Sequence, residues 1–470
     1  NERLFSVLKR LSRKLNFRIL VLKNISKDSE IIGFCAFHWL RSLNVNNEFE
    51  NKEMMKYVIE NSIGRILVID TIIENKLSDY NNILEMVLSE TLSFSIAKDY
   101  SYGIYYDRYR EESNKKISNL LKTHGFLKIE GKIDKIAYAA DMSAPLVLNL
   151  DLKSMFKDEF KKNFKMQKVF KKTRYRLQKA ITKLYPGNLL LNYNRTMLYE
   201  NLIKEVCKVN NVDTEITKNS NKGEAICVPF GAIFKRWILP NTITKTLHTE
   251  KYFNKDLSYH EIKSSPYYMT LENQIKMIKS FDKPVILVDG LLNKGYRIKV
   301  LEPLLEKYDI EVKKMIVGIL SANGKSIVSN NSFDVSSAYF VPNIKVWFYE
   351  SRLYPFIGGD GVWRETKPFK KFINSVNMIY PYTNPKYIKG AKKEDIMNLS
   401  EVALKNALDI MKVVENEYQI SRNRALTLER LGEVIIDPRL PDHGKNINYD
   451  LHISPSQYIL EEINRLERLK

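Results

Sequence analysis

Alternation and runs of apolar residues divide the chain into recognisable elements. The most apolar short run is Val285 to Val288, inside KPVILVDGLLNKGYRI, and it leads directly into Asp289 and a polar loop containing Gly295. A strand apolar at every position is buried on both faces, as in a parallel sheet. After the loop, KVLEPLLEKYDIEVKKMIVGIL predicts a helical crossover, kinked or delayed by Pro303, and a second strand over Met315 to Leu320. The unit is βαβ. Upstream, EAICVPFGAIFKRWI predicts a strand running into the small-residue loop Pro229-Phe230-Gly231-Ala232.

The N-terminal third has a different rhythm. Phe17 to Leu22, Ile31 to Trp39 and Arg65 to Ile72 predict strands, with a turn near Ser26 to Ser29. A helix follows over Tyr80 to Lys98, then a strand over Ser101 to Tyr106. The helix of NKKISNLLKTHGFLKI stops at Gly125-Phe126, sound C-cap chemistry, and runs into another strand.

Between these regions, Leu152 to Lys183 reads as a basic helix with Phe156, Phe160 and Phe164 on one face. The apolar stripe docks on a core. The basic face, including Lys171, Lys172, Arg174 and Arg176, is either solvated or a surface for RNA, DNA or another polyanion. Tyr185-Pro186-Gly187-Asn188 marks a turn, followed by a helix over Arg195 to Asn210. After an irregular stretch with Pro368, Pro381 and Pro385, Ser400 to Gln419 predicts an amphipathic helix capped by Ser400. Ser421 to Leu431 and Pro455 to Arg468 also read as helical, and Asp437, Asp442 and His443 between them read as solvent-exposed.

These patterns predict an α/β chain of four parts. They are a mixed sheet with helices over 1–151, a basic helical linker over 152–209, a parallel-sheet domain over 210–365 and a helical extension over 366–470. At 470 residues the length suits two or three domains.

The segment around Asp289 resembles the ribose-phosphate loop of type I phosphoribosyltransferases. In that family an apolar strand, two acids, a hydroxyl-rich turn and a helix start hold phosphoribosyl pyrophosphate. Here Gly290 stands at the second acid, and Asn293-Lys294 precede Gly295 in place of hydroxyl residues. The resemblance implies a ribose-phosphate ligand held by Gly290, Asn293, Lys294, Gly295, Tyr296 and Arg297. Pro229, Phe230, Gly231 and Ala232 would form the pyrophosphate loop. Asp289 and Lys251 are the implied catalytic residues, Mg²⁺ would accompany the pyrophosphate, and Lys245 and His248 lie in the same intervening stretch. The glycine-dense LYPFIGGDGVWRE adds Asp360 among Gly358, Gly359 and Gly361, with Trp363 placed to stack on a ring.

The first 151 residues resemble GNAT-type N-acetyltransferases in element order. The loop those enzymes use for the CoA pyrophosphate is glycine-rich, whereas IENKLSDYNNILEM contains no glycine. The resemblance therefore implies the fold without acetyl-CoA binding.

Composition narrows the function classes. A net charge of +20 favours phosphate-rich partners. Cys35, Cys207 and Cys227 form neither a disulfide framework nor a zinc motif, which suits a reducing cytoplasm, and no metal site is indicated. No apolar run approaches a membrane span. The chain begins with Asn, compatible with a removed upstream segment. Three functions stay open: phosphoribosyl transfer, nucleotide sensing without turnover, and nucleic-acid association through the basic helix.

Overall fold

The computed structural model describes residues 9, 12–14, 16–24, 30–41, 44–49, 51–62, 64–75, 82–107, 114–131, 133, 135–215, 222–231, 239–330, 333–364, 372–445 and 448–470. It is a mixed α/β protein of two compact units. The first comprises Asn1–Leu148, Ile181–Tyr193 and Tyr339–Trp347; the second comprises Asn149–Ala180, Asn194–Ala338 and Phe348–Lys470.

In the first unit, β1 (Phe17–Asn24), β2 (Glu30–Arg41), β3 (Arg65–Glu74), β4 (Tyr100–Asp107) and β6 (Ile136–Leu150) lie in that order, with β5 (Leu127–Lys128) and β7 (Asn188–Asn194) both paired to β6. The β3–β4 pair is parallel and its neighbours β2–β3 and β4–β6 are antiparallel, so the sheet is mixed. The helix Ile83–Ile96 supplies the crossover that a parallel pair requires. Each predicted strand is present within two residues of its expected ends. The turn at 26–29 lies outside the described residues. Asn114 accepts hydrogen bonds from Lys116 N and Ile117 N and so starts the helix Lys115–Thr123.

The basic segment departs from a single helix. A 3₁₀ turn at Leu152–Met155 and a short helix at Asp158–Lys161 precede the long helix Phe164–Leu184. Phe156 and Phe160 are buried, but Phe164 is 70% exposed. The break falls where Phe156 forms an isolated bridge with Ile435 and Lys157 turns extended, which rotates Phe164 off the apolar face.

Two sheets organise the second unit. Strands β8 (Ile226–Pro229), β11 (Val285–Leu292), β12 (Val312–Leu320) and β13 (Val335–Phe340) stand in the order β13-β12-β11-β8. Both neighbours of β11 run parallel to it. Val285 to Val288 are fully buried, as an all-apolar strand requires. The strand outruns its predicted end at Val288, and Pro303 lies inside the helix Ile298–Lys307. The other sheet has the order β10-β9-β15-β16-β17, from β9 (Thr249–Phe253), β10 (His260–Ser264), β15 (Asp360–Val362), β16 (Ile373–Val376) and β17 (Arg439–Pro441). The last two strands come from the irregular, proline-containing stretches of the expected helical extension, and they complete this sheet.

That region is otherwise helical. The helix Lys393–Arg422 begins seven residues before Ser400, whose hydroxyl donates to Ile396 O and accepts from Tyr380 N. Ser400 is thus an interior residue and not a cap. The helix Pro455–Glu467 matches its prediction, whereas Ser421–Leu431 holds only a helix end and the start of a 3₁₀ turn at Leu428–Glu433. No helix among the described residues is long and apolar enough to cross a membrane.

Candidate functional site

The carboxyl end of β11 brings Asp289 and Gly290 to the middle of the parallel sheet, where open α/β sheets place their ligands. Asp289 is 3% exposed. Its Oδ1 accepts from Gly290 N at 2.7 Å, and its Oδ2 lies 3.6 Å from Arg297 Nη1. Burial raises its pKa, against the pull of Arg297 and the Gly290 amide. The chain leaving β8 presses on this carboxylate. A Cβ on Gly231 would lie 1.9 Å from Asp289 Oδ1, so only glycine fits there. Gly295 makes the following turn with φ of +65°.

Beyond Gly290 and Arg297 lies a cavity of about 330 Å³. Its wall includes Arg195, Arg297, Arg352 and Arg439 with Lys161, facing the carboxylates of Asp151, Asp158, Glu250 and Asp437. The arginines arrive from four separate places. Arg195 opens the helix Arg195–Val209, Arg297 precedes a second helix, Arg352 lies in a 3₁₀ turn and Arg439 begins β17. Gly358 and Gly359 of the glycine-dense motif line the same space.

Carboxylates behind the wall fix some of these cations. Asp360 is buried and stands 2.8 Å from Arg352 Nη1 and 3.4 Å from Lys251 Nζ. Burial acts to raise its pKa, but Arg352 and Lys251 prevail and hold it below the usual range. Burial lowers the pKa of Lys251. Arg439 Nη1 is 3.5 Å from Glu250 Oε1. Asp151 accepts from both Ser351 N (2.9 Å) and Ser351 Oγ (2.7 Å), and burial raises its pKa. The buried donors of this wall that have no hydrogen-bond acceptor among the described residues include Arg297 Nε and Arg439 Nε. A buried donor without an acceptor costs ~1–3 kcal/mol, more on a charged group, and a bound anion relieves that cost.

The predicted site residues distribute unevenly over this geometry. Gly290 and Arg297 line the cavity. Asp289 stands behind them, as a partner of Arg297. Pro229 ends β8, Phe230 is buried with its N donating to Val288 O, and Gly231 backs Asp289. Ala232 lies outside the described residues. Asn293 is tied to the end of β12, accepting from Ser321 Oγ on Oδ1 and from Asn323 Nδ2 on its carbonyl. Lys294 and Tyr296 are exposed. Lys251 lies in β9 and not in a loop, while His248 stacks on Tyr268 and Lys245 lies over the Phe281 ring.

The basic helix is less solvated than its sequence implies. Lys171 and Lys172 are both exposed, though Lys172 and Arg176 face Asp409, at 3.3 and 2.7 Å. Arg174 is 3.5 Å from Glu350, a fully buried carboxyl pushed up to about 7 by burial. The Asp437–His443 loop is also not solvent-exposed throughout. Asp442 is buried against Arg364, with both oxygens at 3.0–3.1 Å, and His443 Nε2 lies 3.2 Å from Glu462.

Sequence reasoning missed Arg195, Arg352, Arg439, Glu250 and His260. Arg352 had a signal, since it stands six residues before the glycine cluster. His260 packs edge-on against Tyr296 at 4.9 Å, and burial together with Lys251 lowers its pKa, favouring a neutral imidazole.

No protein-family model matches the chain, and no curated protein matches it in sequence. Solved structures do show similarity over part of it. PaiA N-acetyltransferase from Thermoplasma acidophilum, in complex with coenzyme A, is 13% identical over 30% of this chain and 70% of its own, with a TM-score of 0.21. AtaT complexed with acetyl-methionyl-tRNAfMet is 12% identical over 30% and 83%, with a TM-score of 0.22. Adenine phosphoribosyltransferase from Thermoanaerobacter pseudethanolicus is 12% identical over 37% and 99%, with a TM-score of 0.19. These likenesses span between 30% and 37% of this chain.

Proposed function

We propose that the second unit binds a ribose-phosphate ligand, phosphoribosyl pyrophosphate or a nucleotide, in the arginine-lined cavity and transfers its phosphoribosyl group. The observation that carries this reading is the presence of buried guanidinium donors, Arg297 Nε and Arg439 Nε among them, on the wall beside Gly290. Cations fixed in advance by Asp360, Glu250 and Asp289 need no reorganisation when a phosphate enters. Such preorganisation stabilises a leaving pyrophosphate more than mobile lysines do. Asp289 then acts by holding Arg297, and Lys251 by sharing Asp360 with Arg352.

Among the described residues no three His, Cys, Asp or Glu side chains gather as a metal site. Mg²⁺ would arrive on the phosphates, since it takes only one or two protein carboxylates in such chemistry. Asp151 and Glu250 are the carboxylates of the wall in reach of that role. When bound, the ion would neutralise phosphate charge.

Gly290 favours a second reading, in which the same cavity senses a nucleotide without turnover, because one ribose-holding acid of the resemblance is missing. The first unit is expected to bind acetyl-CoA poorly. The stretch between β3 and the helix Ile83–Ile96 lacks glycine throughout, although residues 76–81 lie outside the described set.

Calorimetric titration of the full chain with phosphoribosyl pyrophosphate and Mg²⁺ tests the proposal. Saturable heat in the parent, lost in Arg297→Met and Arg439→Met, supports it; no heat in the folded parent overturns it. Pyrophosphate release in the presence of acceptor bases separates transfer from sensing. Acetyl-CoA in the same cell should give no heat.

A further inference from the structure

We infer that the face of the five-stranded sheet carrying Tyr252 and Trp363 binds single-stranded nucleic acid by stacking its bases. The cavity on this face shares no lining residue with the arginine-lined one, and the inference does not depend on the ribose-phosphate reading.

Strand register assembles the face. In the β9–β10 pair Tyr252 stands opposite Glu261, and Glu250 opposite Lys263. In the parallel β9–β15 pair Gly361 stands beside Tyr252. Side chains alternate along a strand, so Tyr252, Glu261 and Lys263 share one face. Trp363, two residues past Gly361, joins them, because its N–H donates to Phe253 O at 2.8 Å and prolongs the pairing. Its ring meets Tyr252 edge-on at 6.0 Å, and Lys263 Nζ lies 4.4 Å over it. A cavity of about 350 Å³ opens here, lined also by Tyr259, Lys255 and Asp256.

Two of these rings face water on a rigid base. Trp363 is 50% exposed and Tyr259 is 57% exposed. The turn carrying Tyr259 is locked by its own hydrogen bonds, with Asn254 Oδ1 accepting from Tyr259 N and Asp256 Oδ1 accepting from Ser258 N. Pre-ordered aromatic rings on a sheet, flanked by lysines, are how proteins hold unpaired bases, which stack on the rings and offer their edges to polar neighbours. Glu261 and Asp256 can accept from exocyclic amino groups, as carboxylates do from cytosine N4. Lys263 Nζ is paired with Glu261 Oε2 at 2.7 Å, so Lys255 is the cation this cavity offers the backbone, within a chain whose net charge is +20.

The geometry favours a strand over its alternatives. A duplex keeps its base faces stacked and cannot use the rings. A free nucleotide needs a fixed phosphate clamp, and no arginine lines this cavity among the described residues.

The test is fluorescence anisotropy of a labelled fifteen-nucleotide deoxycytidine strand with the full chain at low salt. The parent should bind and lose affinity as salt rises. Trp363→Ala should weaken binding by about 5- to 150-fold, the worth of one stacked base at ~1–3 kcal/mol. Trp363→Phe should keep most of the affinity, which separates stacking from a folding defect. The inference is overturned if the parent does not bind, if Trp363→Ala binds like the parent, or if Trp363→Phe loses as much as Trp363→Ala. It is equally overturned if a duplex binds as tightly as the strand, or if deoxycytidine monophosphate competes at strand concentrations.

Discussion

Replacing Asp360 by Asn leaves the shape of the site almost unchanged and removes one negative charge. The Asp360 side chain is 5% exposed, and it compensates both Arg352 at 2.8 Å and Lys251 at 3.4 Å. Those cations are themselves only 27% and 24% exposed. Breaking a buried ion pair by removing one partner typically costs ~3–5 kcal/mol, because the remaining charge stays desolvated. Asp360→Asn should therefore lose about that much stability in urea unfolding followed by tryptophan emission. Removing the excess cation should restore part of it. In a double-mutant cycle with Lys251→Met, the coupling should recover ~0.5–3 kcal/mol. The pH dependence has a defined sign. The pKa of Asp360 is lowered in the folded chain, so its contribution is present above the ordinary unfolded value of ~3.9 and fades as pH falls through the folded value. The gap between parent and Asp360→Asn should narrow below about pH 4. A variant within 0.5 kcal/mol of the parent at pH 7, or losses that simply add in the double mutant, would refute the view that Asp360 holds the two cations.

The remaining expectations concern backbone and surface. Gly295→Val should cost ~1–2 kcal/mol from the left-handed backbone alone, and more because its Cβ would meet Ile327 Cγ2 at 2.9 Å. Thermal unfolding reads the loss, and a melting curve like the parent's sinks the turn argument. On the basic helix, Lys171→Glu should leave stability unchanged, whereas Arg174→Glu should destabilise strongly by setting a second carboxylate against buried Glu350. Charge reversal at Lys171, Lys172, Arg174 and Arg176 together should weaken any polyanion binding and flatten its salt slope. If that variant stays folded and binds RNA and DNA like the parent, this helix is not the binding surface.

The elements legible in the sequence are those whose burial is uniform along their length. Val285 to Val288 announce a central strand because every side chain must leave water, and Asn114 and Gly125 mark helix ends by local backbone chemistry. The short helices Val45–Glu48 and Lys52–Asn61 were not legible, since neither is long enough to build a clear period. Phe156, Phe160 and Phe164 misled for a physical reason. Four-residue spacing implies one face only if the helix is continuous, and the pairing of Phe156 with Ile435 interrupts it. The site itself was half visible. Gly290, near the end of β11, and Arg297, at the start of the next helix, are close in the chain and could be read together. Arg195, Arg352 and Arg439 meet them only through tertiary folding, and no local pattern joins residues so far apart in the chain. The carboxylate behind two cations was visible only as a residue among glycines, at Asp360.

The first unit is stitched from three stretches, and this sets a timetable for synthesis. Tyr193, fully buried, shares a hydrogen bond with Ser93 Oγ at 2.7 Å and packs on Tyr339 at 4.7 Å. Tyr339 in turn donates to Glu90. When Leu148 leaves the ribosome, none of those closing residues exists yet, and the stretch from Tyr339 follows about 190 residues later. At ~5–20 residues per second the nascent sheet waits roughly 10–40 s with its β6 side incomplete. An unpaired strand edge is a template for pairing with another chain. A polypeptide ending near Asp151 would lack the later strand that pairs with β6 and would keep that edge open permanently.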